Sequence, residues 1–147
     1  MSVFISVGLL SLIGAYWYAD TLFASGYQNN RAGKFGKATP LLLRASSILP
    51  YEPTYHDELA QSYASLSTAA FENNNATDAA MLSTLAIRES DKAIGTSPNN
   101  VNFYKTRTKV LYTLSVLTAA YNNDAVLALK KALLLSPNDP KIYYNVA

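Results

Sequence analysis

The chain of 147 residues has no cysteine and a single histidine, His56. The first absence excludes a disulfide framework, a zinc-thiolate site, an iron–sulfur cluster and a cysteine nucleophile. The second excludes any motif that needs two histidines on one metal. Charge is scarce too: 15% of residues are Asp, Glu, Lys or Arg, against roughly 25% in an ordinary domain. Twelve basic and ten acidic residues leave a net charge of +2, so no basic stripe marks the chain as a nucleic-acid binder. There is no glycine-rich phosphate loop, no G-x-S-x-G and no H-E-x-x-H. Nothing in the sequence reads as a catalytic centre, a metal site or a cofactor site, and the chain is expected not to be an enzyme.

What is abundant is apolar side chain, half of all residues. It is concentrated at the start, where residues 1–19 carry no charge and end in the aromatic run Tyr16-Trp17-Tyr18 before Asp20. As a helix these residues span about 28 Å at 1.5 Å each, close to a hydrocarbon core of about 30 Å, with rings at headgroup level. A cleaved signal peptide fits less well, because no Lys or Arg precedes Arg31 and bulky rings sit where cleavage falls. A buried helix of a soluble protein is the third reading, but soluble helices usually show a polar stripe, and this segment has only serines and glycines. The expectation is one transmembrane helix over 1–19, with the membrane as a partner through it.

Residues 20–147 read as helical throughout, with a phrase that recurs three times. Ala45, Ala93 and Ala132 each stand five residues before a proline, at Pro50, Pro98 and Pro137. Ala38, Ala86 and Ala125 stand twelve before the same prolines. A small residue lets two helices approach closely, and a proline ends the second of them. Leu59-Ala60 and Tyr63 follow Pro50 on one helical face, Val146-Ala147 hold the same places after Pro137, and Gly26 takes the small place in the first unit. Helices are expected near 20–32, 36–48, 53–73, 77–95, 101–120, 123–135 and 140–147, the apolar segment running into the first without a break. Turns are expected at Gly33-Lys34-Phe35, at Glu72–Asp78 with Asn75 or Thr77 as cap, and at Tyr121-Asn-Asn-Asp124. The chain closes on the opening of a further helix, which reads as truncation at the C-terminus.

These positions resemble the tetratricopeptide repeat (TPR). The resemblance implies an all-α, antiparallel helix-pair solenoid, here preceded by the apolar helix. The spacings between the prolines, 48 and 39 residues, depart from the usual 34, so these repeats are long ones. Arg107-Thr108 stand where the third unit expects Leu and a small residue. In such a fold the first helix of each pair lines the concave face. That places Thr54, Asp57, Gln61 and Ala64, then Asn102, Lys105, Lys109 and Tyr112, then Lys141 and Tyr144 on it. With Arg107 nearby, one end of that groove is basic and edged by tyrosine, suited to an acidic peptide, an anionic glycan or a lipid phosphate. His56 takes the place of a packing aromatic and reads as a packing residue. Asp57-Glu58 read as a first-turn dipole pair. Asn75-Ala-Thr77 matches a glycosylation acceptor of a kind that Asn-rich turns produce by chance.

Three stretches carry a finer resemblance: Ser97-Pro-Asn-Asn-Val-Asn-Phe-Tyr-Lys-Thr-Arg-Thr-Lys-Val-Leu-Tyr-Thr-Leu-Ser115, Ser136-Pro-Asn-Asp-Pro-Lys-Ile-Tyr-Tyr-Asn-Val-Ala147 and Tyr18-Ala-Asp-Thr-Leu-Phe-Ala-Ser-Gly-Tyr27. Together they resemble the C-terminal region of O-antigen ligase-like bacterial membrane proteins. The resemblance implies that residues 1–19 are the last helix of a larger membrane domain in the bacterial inner membrane. It also implies extracytoplasmic repeats over 20–147 that bind a protein, a peptide or a lipid-linked glycan. Ligation in that family belongs to the membrane domain, so no catalytic residue carries over. The alternative is a stand-alone, membrane-anchored TPR scaffold that binds peptide partners.

Overall fold

The computed structural model describes residues 2–140 and 142, with the side chains of 2–7, 9 and 11 outside the description. Six helices follow one another: α1 Ser2–Arg31, α2 Phe35–Ile48, α3 Pro53–Glu72, α4 Ala76–Thr96, α5 Val101–Leu114 and α6 Ala120–Leu135. Local chemistry sets most of their ends. At the end of α1, Gly33 adopts φ +71° while the Lys34 amide donates to the Asn29 carbonyl at 2.8 Å. This is a closing turn that a residue without Cβ enters freely. Asn74, at φ +58°, does the same after α3, with the Asn75 amide on the Ala70 carbonyl. The Asn75 side chain then caps α4 by accepting from the Asp78 amide at 3.1 Å. Glu52 and Asn100 accept from Thr54 and Asn102 at the starts of α3 and α5. Asp57 and Glu58 thus lie one turn too deep for the dipole role expected of them.

The helices pair as α1–α2, α3–α4 and α5–α6. The alanines that recur in the sequence sit in the crossings: Ala38, Ala45, Ala86, Ala93 and Ala132 are fully buried, and Ala125 nearly so. Gly26 meets Leu42 so closely that a Cβ built on it would lie 2.7 Å from the leucine Cγ. The main core runs across the pairs, joining Ala38 and Leu42 of α2 to Leu59, Ala60, Tyr63 and Ala64 of α3, Ala86 of α4, and Val110 and Leu114 of α5. Among the described residues α1 touches α3 and α3 touches α5, whereas the principal contacts of α2, α4 and α6 lie with first helices of pairs. The first helices thus touch one another in series and form one layer.

A buried charge cluster pins α3 to α4. His56 Nδ1 lies 2.6 Å from Glu89 Oε2 and Nε2 lies 2.9 Å from the Pro50 carbonyl. Both ring nitrogens face oxygen acceptors, so both donate and the ring is an imidazolium. Its pKa is raised, chiefly by the bond to Glu89. Burial works against the Glu89 carboxylate, yet hydrogen bonds from His56 and Lys92 hold its pKa at about 2. His56 is the packing histidine the sequence led one to expect, with an ion pair added.

Two expectations are corrected. The first is the transmembrane helix expected over 1–19, which the structure does not support. Among the described residues no helix is long and apolar enough to cross a membrane. The segment is the first half of α1, which continues without interruption as the first helix of the first pair, where Ala19, Leu22 and Phe23 pack with Ala45 and Tyr55. The membrane contact through it, the membrane anchor and the inner-membrane location with extracytoplasmic repeats are therefore not supported. The second correction concerns the last hairpin. The turn falls at 115–119, not at Tyr121–Asp124, and α5 stops six residues early. Tyr121, Ala125, Ala128, Leu129 and Ala132 form one inward stripe, so α6 must begin before Tyr121. Asn122, Asn123 and Asp124 are simply its exposed face. Upstream, Ser115 turns both its hydroxyl and its amide onto the Tyr112 carbonyl, which ends the α-helical ladder.

Candidate functional site

The layer α1–α3–α5 presents one continuous face, and a cavity of about 150 Å³ lies at its centre. Each of the three helices contributes to the wall. Asn30 and Arg31 come from the last turn of α1, Glu58, Gln61, Ala64 and Ser65 from α3, and Lys109, Val110 and Thr113 from α5, with Phe35 of α2 closing one end. Ala64 and Val110 give an apolar floor. The rim is polar: Lys109 Nζ donates to Gln61 Oε1 at 3.2 Å across the α3–α5 seam. Asn30 Nδ2 donates to the Glu58 carbonyl at 3.0 Å and to its carboxylate at 3.2 Å across the α1–α3 seam. In this orientation the Asn30 amide nitrogen serves both acceptors, whereas the flipped amide would set oxygen against them, and the buried Oδ1 is left without a partner among the described residues. Arg31 stacks over the Tyr27 ring and donates to its hydroxyl. Neither Arg31 nor Lys109 forms an ion pair among the described residues.

The residues expected on this face are placed differently from one another. Gln61 and Lys109 line the cavity, and Ala64 is buried in its floor. Lys105, Lys109 and Tyr112 follow one another along α5 and, with Thr108 and Leu129, border a wider hollow of about 530 Å³. Thr54 and Asn102 are exposed at the first turns of α3 and α5. Lys105 is bound to Asp139 beyond α6. Arg107 is turned away from the groove, onto Ser90 and Asp91 of α4, so it adds nothing to the basic end. Lys141 and Tyr144 lie outside the described residues.

Asp57 departs most from expectation. Its side chain is 7% exposed and its Oδ1 has no hydrogen-bond partner. Burial pushes its pKa up to about 7; the Thr106 hydroxyl opposes this and the Glu58 charge adds to it. It is thus a buried residue facing Thr106 across the α3–α5 seam, not an open contact. Asn30, Arg31, Phe35 and Glu58 were absent from the sequence-based selection. The signal for the first two was present, because Asn29-Asn30-Arg31 stand just before the Gly33 turn and so end a first helix of a pair. Among the described residues no three His, Asp or Glu come together as a metal site.

Among solved structures, the chain is similar to the first TPR domain of Spaghetti (RPAP3), solved with the HSP90 peptide SRMEEVD. The TM-score is 0.62 over 88% of this chain and 89% of that one, at 18% identity. The fold is that of a TPR domain, all-α with six helices among the described residues. No family model matches the sequence, and no curated protein matches it. The finer resemblance to O-antigen ligase-like proteins rests on the residues that carry it and on nothing further.

Proposed function

We propose that this chain is a protein–protein interaction module whose inner face holds an extended acidic peptide. The observation that carries the reading is the cavity where α1, α3 and α5 meet, with Arg31 on one wall and Lys109 on another. Both cations lack a carboxylate partner among the described residues. A cation on a rigid helix next to an apolar floor attracts an anionic side chain without the cost of breaking an internal pair. A domain of the same fold is described as bound to SRMEEVD, a peptide with three acidic side chains and one basic one. Nothing in the cavity favours a sugar over a peptide, since no flat, exposed ring forms its floor.

The test is an immobilised array of heptapeptides graded in net charge, among them SRMEEVD and SRMQQVN, which keeps the arginine and lacks the three carboxylates. Capture is expected to favour the acidic peptides and to weaken with salt. Arg31→Ala or Lys109→Ala is expected to weaken it about fivefold each, the worth of a partly exposed charge pair. Equal capture of basic and acidic peptides, or no capture of any, refutes the reading.

A further inference from the structure

The contact between the second and third pairs contains a carboxyl group without a counter-charge. Asp57 projects from α3 toward Thr106 of α5, is buried, and leaves Oδ1 unpartnered. No cation acts on its carboxyl, and the charged groups of the neighbouring helices are directed to other atoms. On α5, Lys105 is held by Asp139, Arg107 by Asp91 and Ser90, and Lys109 by Gln61. On α3 itself, His56 points to Glu89, and the neighbouring Glu58 is of like charge. On α4, Glu89 is engaged by His56 and Lys92, with Arg88 also on that carboxylate. On α1, Asn30 is turned to Glu58 and Arg31 to Tyr27. A carboxyl group in such a place is tolerated as the neutral acid and is costly as the anion.

We propose that Asp57 makes the junction between the second and third helix pairs a pH-sensitive joint: loss of its proton to solvent loosens α5 from α3 and weakens the hold of the inner face on an acidic ligand. The seam it occupies is the one that Gln61 and Lys109 bridge at the cavity rim, so a shift of α5 moves the cavity wall. The new charge also lies under a face that attracts anions. Burial places the transition near neutrality, where pKa is pushed to about 7. The ligand clause rests on the peptide-binding reading; the joint itself does not.

The experiment is an NMR titration of the full chain between pH 3.5 and 8.5. It follows the Asp57 carboxyl carbon and the backbone amides of Thr106 and Val110, in the wild type and in Asp57→Asn. The expected result is one midpoint between pH 6 and 8 shared by the carboxyl and the α5 amides. Asp57→Asn is expected to hold those amides at their low-pH positions throughout. A carboxyl midpoint near 4, or α5 amides that move identically in the variant, overturns the proposal. If the variant fails to fold, the wild-type midpoints decide alone. Binding of labelled SRMEEVD measured alongside is expected to be about threefold tighter at pH 6 than at pH 8, the worth of one charge a few ångströms away in a water-like dielectric. Asp57→Asn is expected to flatten this ratio. Absence of SRMEEVD binding at every pH counts against the peptide reading, while the carboxyl and amide midpoints still decide the joint.

Discussion

Replacing Gly26 by alanine tests the packing on which the first pair depends. Alanine raises helix propensity, and in a helix interior the exchange stabilises by about 1 kcal/mol when the site is open. At Gly26 it is not open: the new Cβ would stand 2.7 Å from Leu42 Cγ and 2.8 Å from Cδ2, with the Leu42 amide nitrogen at 3.4 Å. Leu42 is fully buried, and Cγ is the branch point of its side chain, so relief requires α1 and α2 to move apart. Overpacking of this kind costs about 1–3 kcal/mol. The two effects leave a net loss of about 1 kcal/mol. Gly95→Ala in α4 is the control, since nothing lies within 4 Å of a Cβ built there, and it should gain a few tenths of a kcal/mol near its helix end. Urea unfolding followed by far-UV circular dichroism measures both. Leu42→Ala alone should cost about 2–5 kcal/mol. Combined with Gly26→Ala, the loss should be smaller than the sum by about 1 kcal/mol or more, because the truncated side chain no longer meets the new methyl. A Gly26→Ala protein as stable as Gly95→Ala would show that the two helices do not cross this closely, and the reasoning would fail.

Glu89→Gln should remove the pH dependence that the α3–α4 charge cluster imparts. The His56 contribution is complete below the unfolded value of about 6.5 and is lost as pH rises through its raised native value. The Glu89 contribution is complete above about 4.5 and is lost as pH falls toward about 2. Stability from the pair is therefore greatest between about pH 4.5 and 6.5, and Glu89→Gln should cost about 3 kcal/mol there. Thermal unfolding against pH in the Asp57→Asn background separates this profile from the titration of Asp57. Asn75→Ala removes the cap of α4 and should cost about 1 kcal/mol by urea unfolding.

The pair structure was legible because it rests on punctuation that sequence shows directly. A small residue at a crossing and a proline at an exit have the same physical meaning wherever they occur, so Ala38, Ala86 and Ala125 mark the second helices in the sequence itself. The last hairpin was misjudged because Asn122-Asn123-Asp124 have the composition of a turn, while tertiary packing of Tyr121 overrode that local preference. The continuity of the first helix was legible, but its membrane assignment was not borne out, because apolar composition alone does not tell a membrane span from the opening of a helix that packs in a pair. Ala19 to Gly26 pack as part of a pair, and no proline or left-handed glycine separates them from the residues before. For the groove, the register of the first helices identified Gln61 and Lys109. Register alone could not show that Asp57 is covered by Thr106, that Arg107 turns to Asp91, or that the C-terminal turn of α1 reaches the same cavity. Each of those facts depends on how neighbouring pairs seat against each other.

The pattern of helix contacts has a mechanical consequence. The core that joins α2, α3, α4 and α5 converges on the middle pair, while α1 rests mainly on α2 and α6 mainly on α5. Either flank can peel away without taking the other with it, because neither leans on the opposite end. The middle pair is then the keystone on which each side re-forms, and damage there propagates to both ends of the arch, whereas damage at one end stays local.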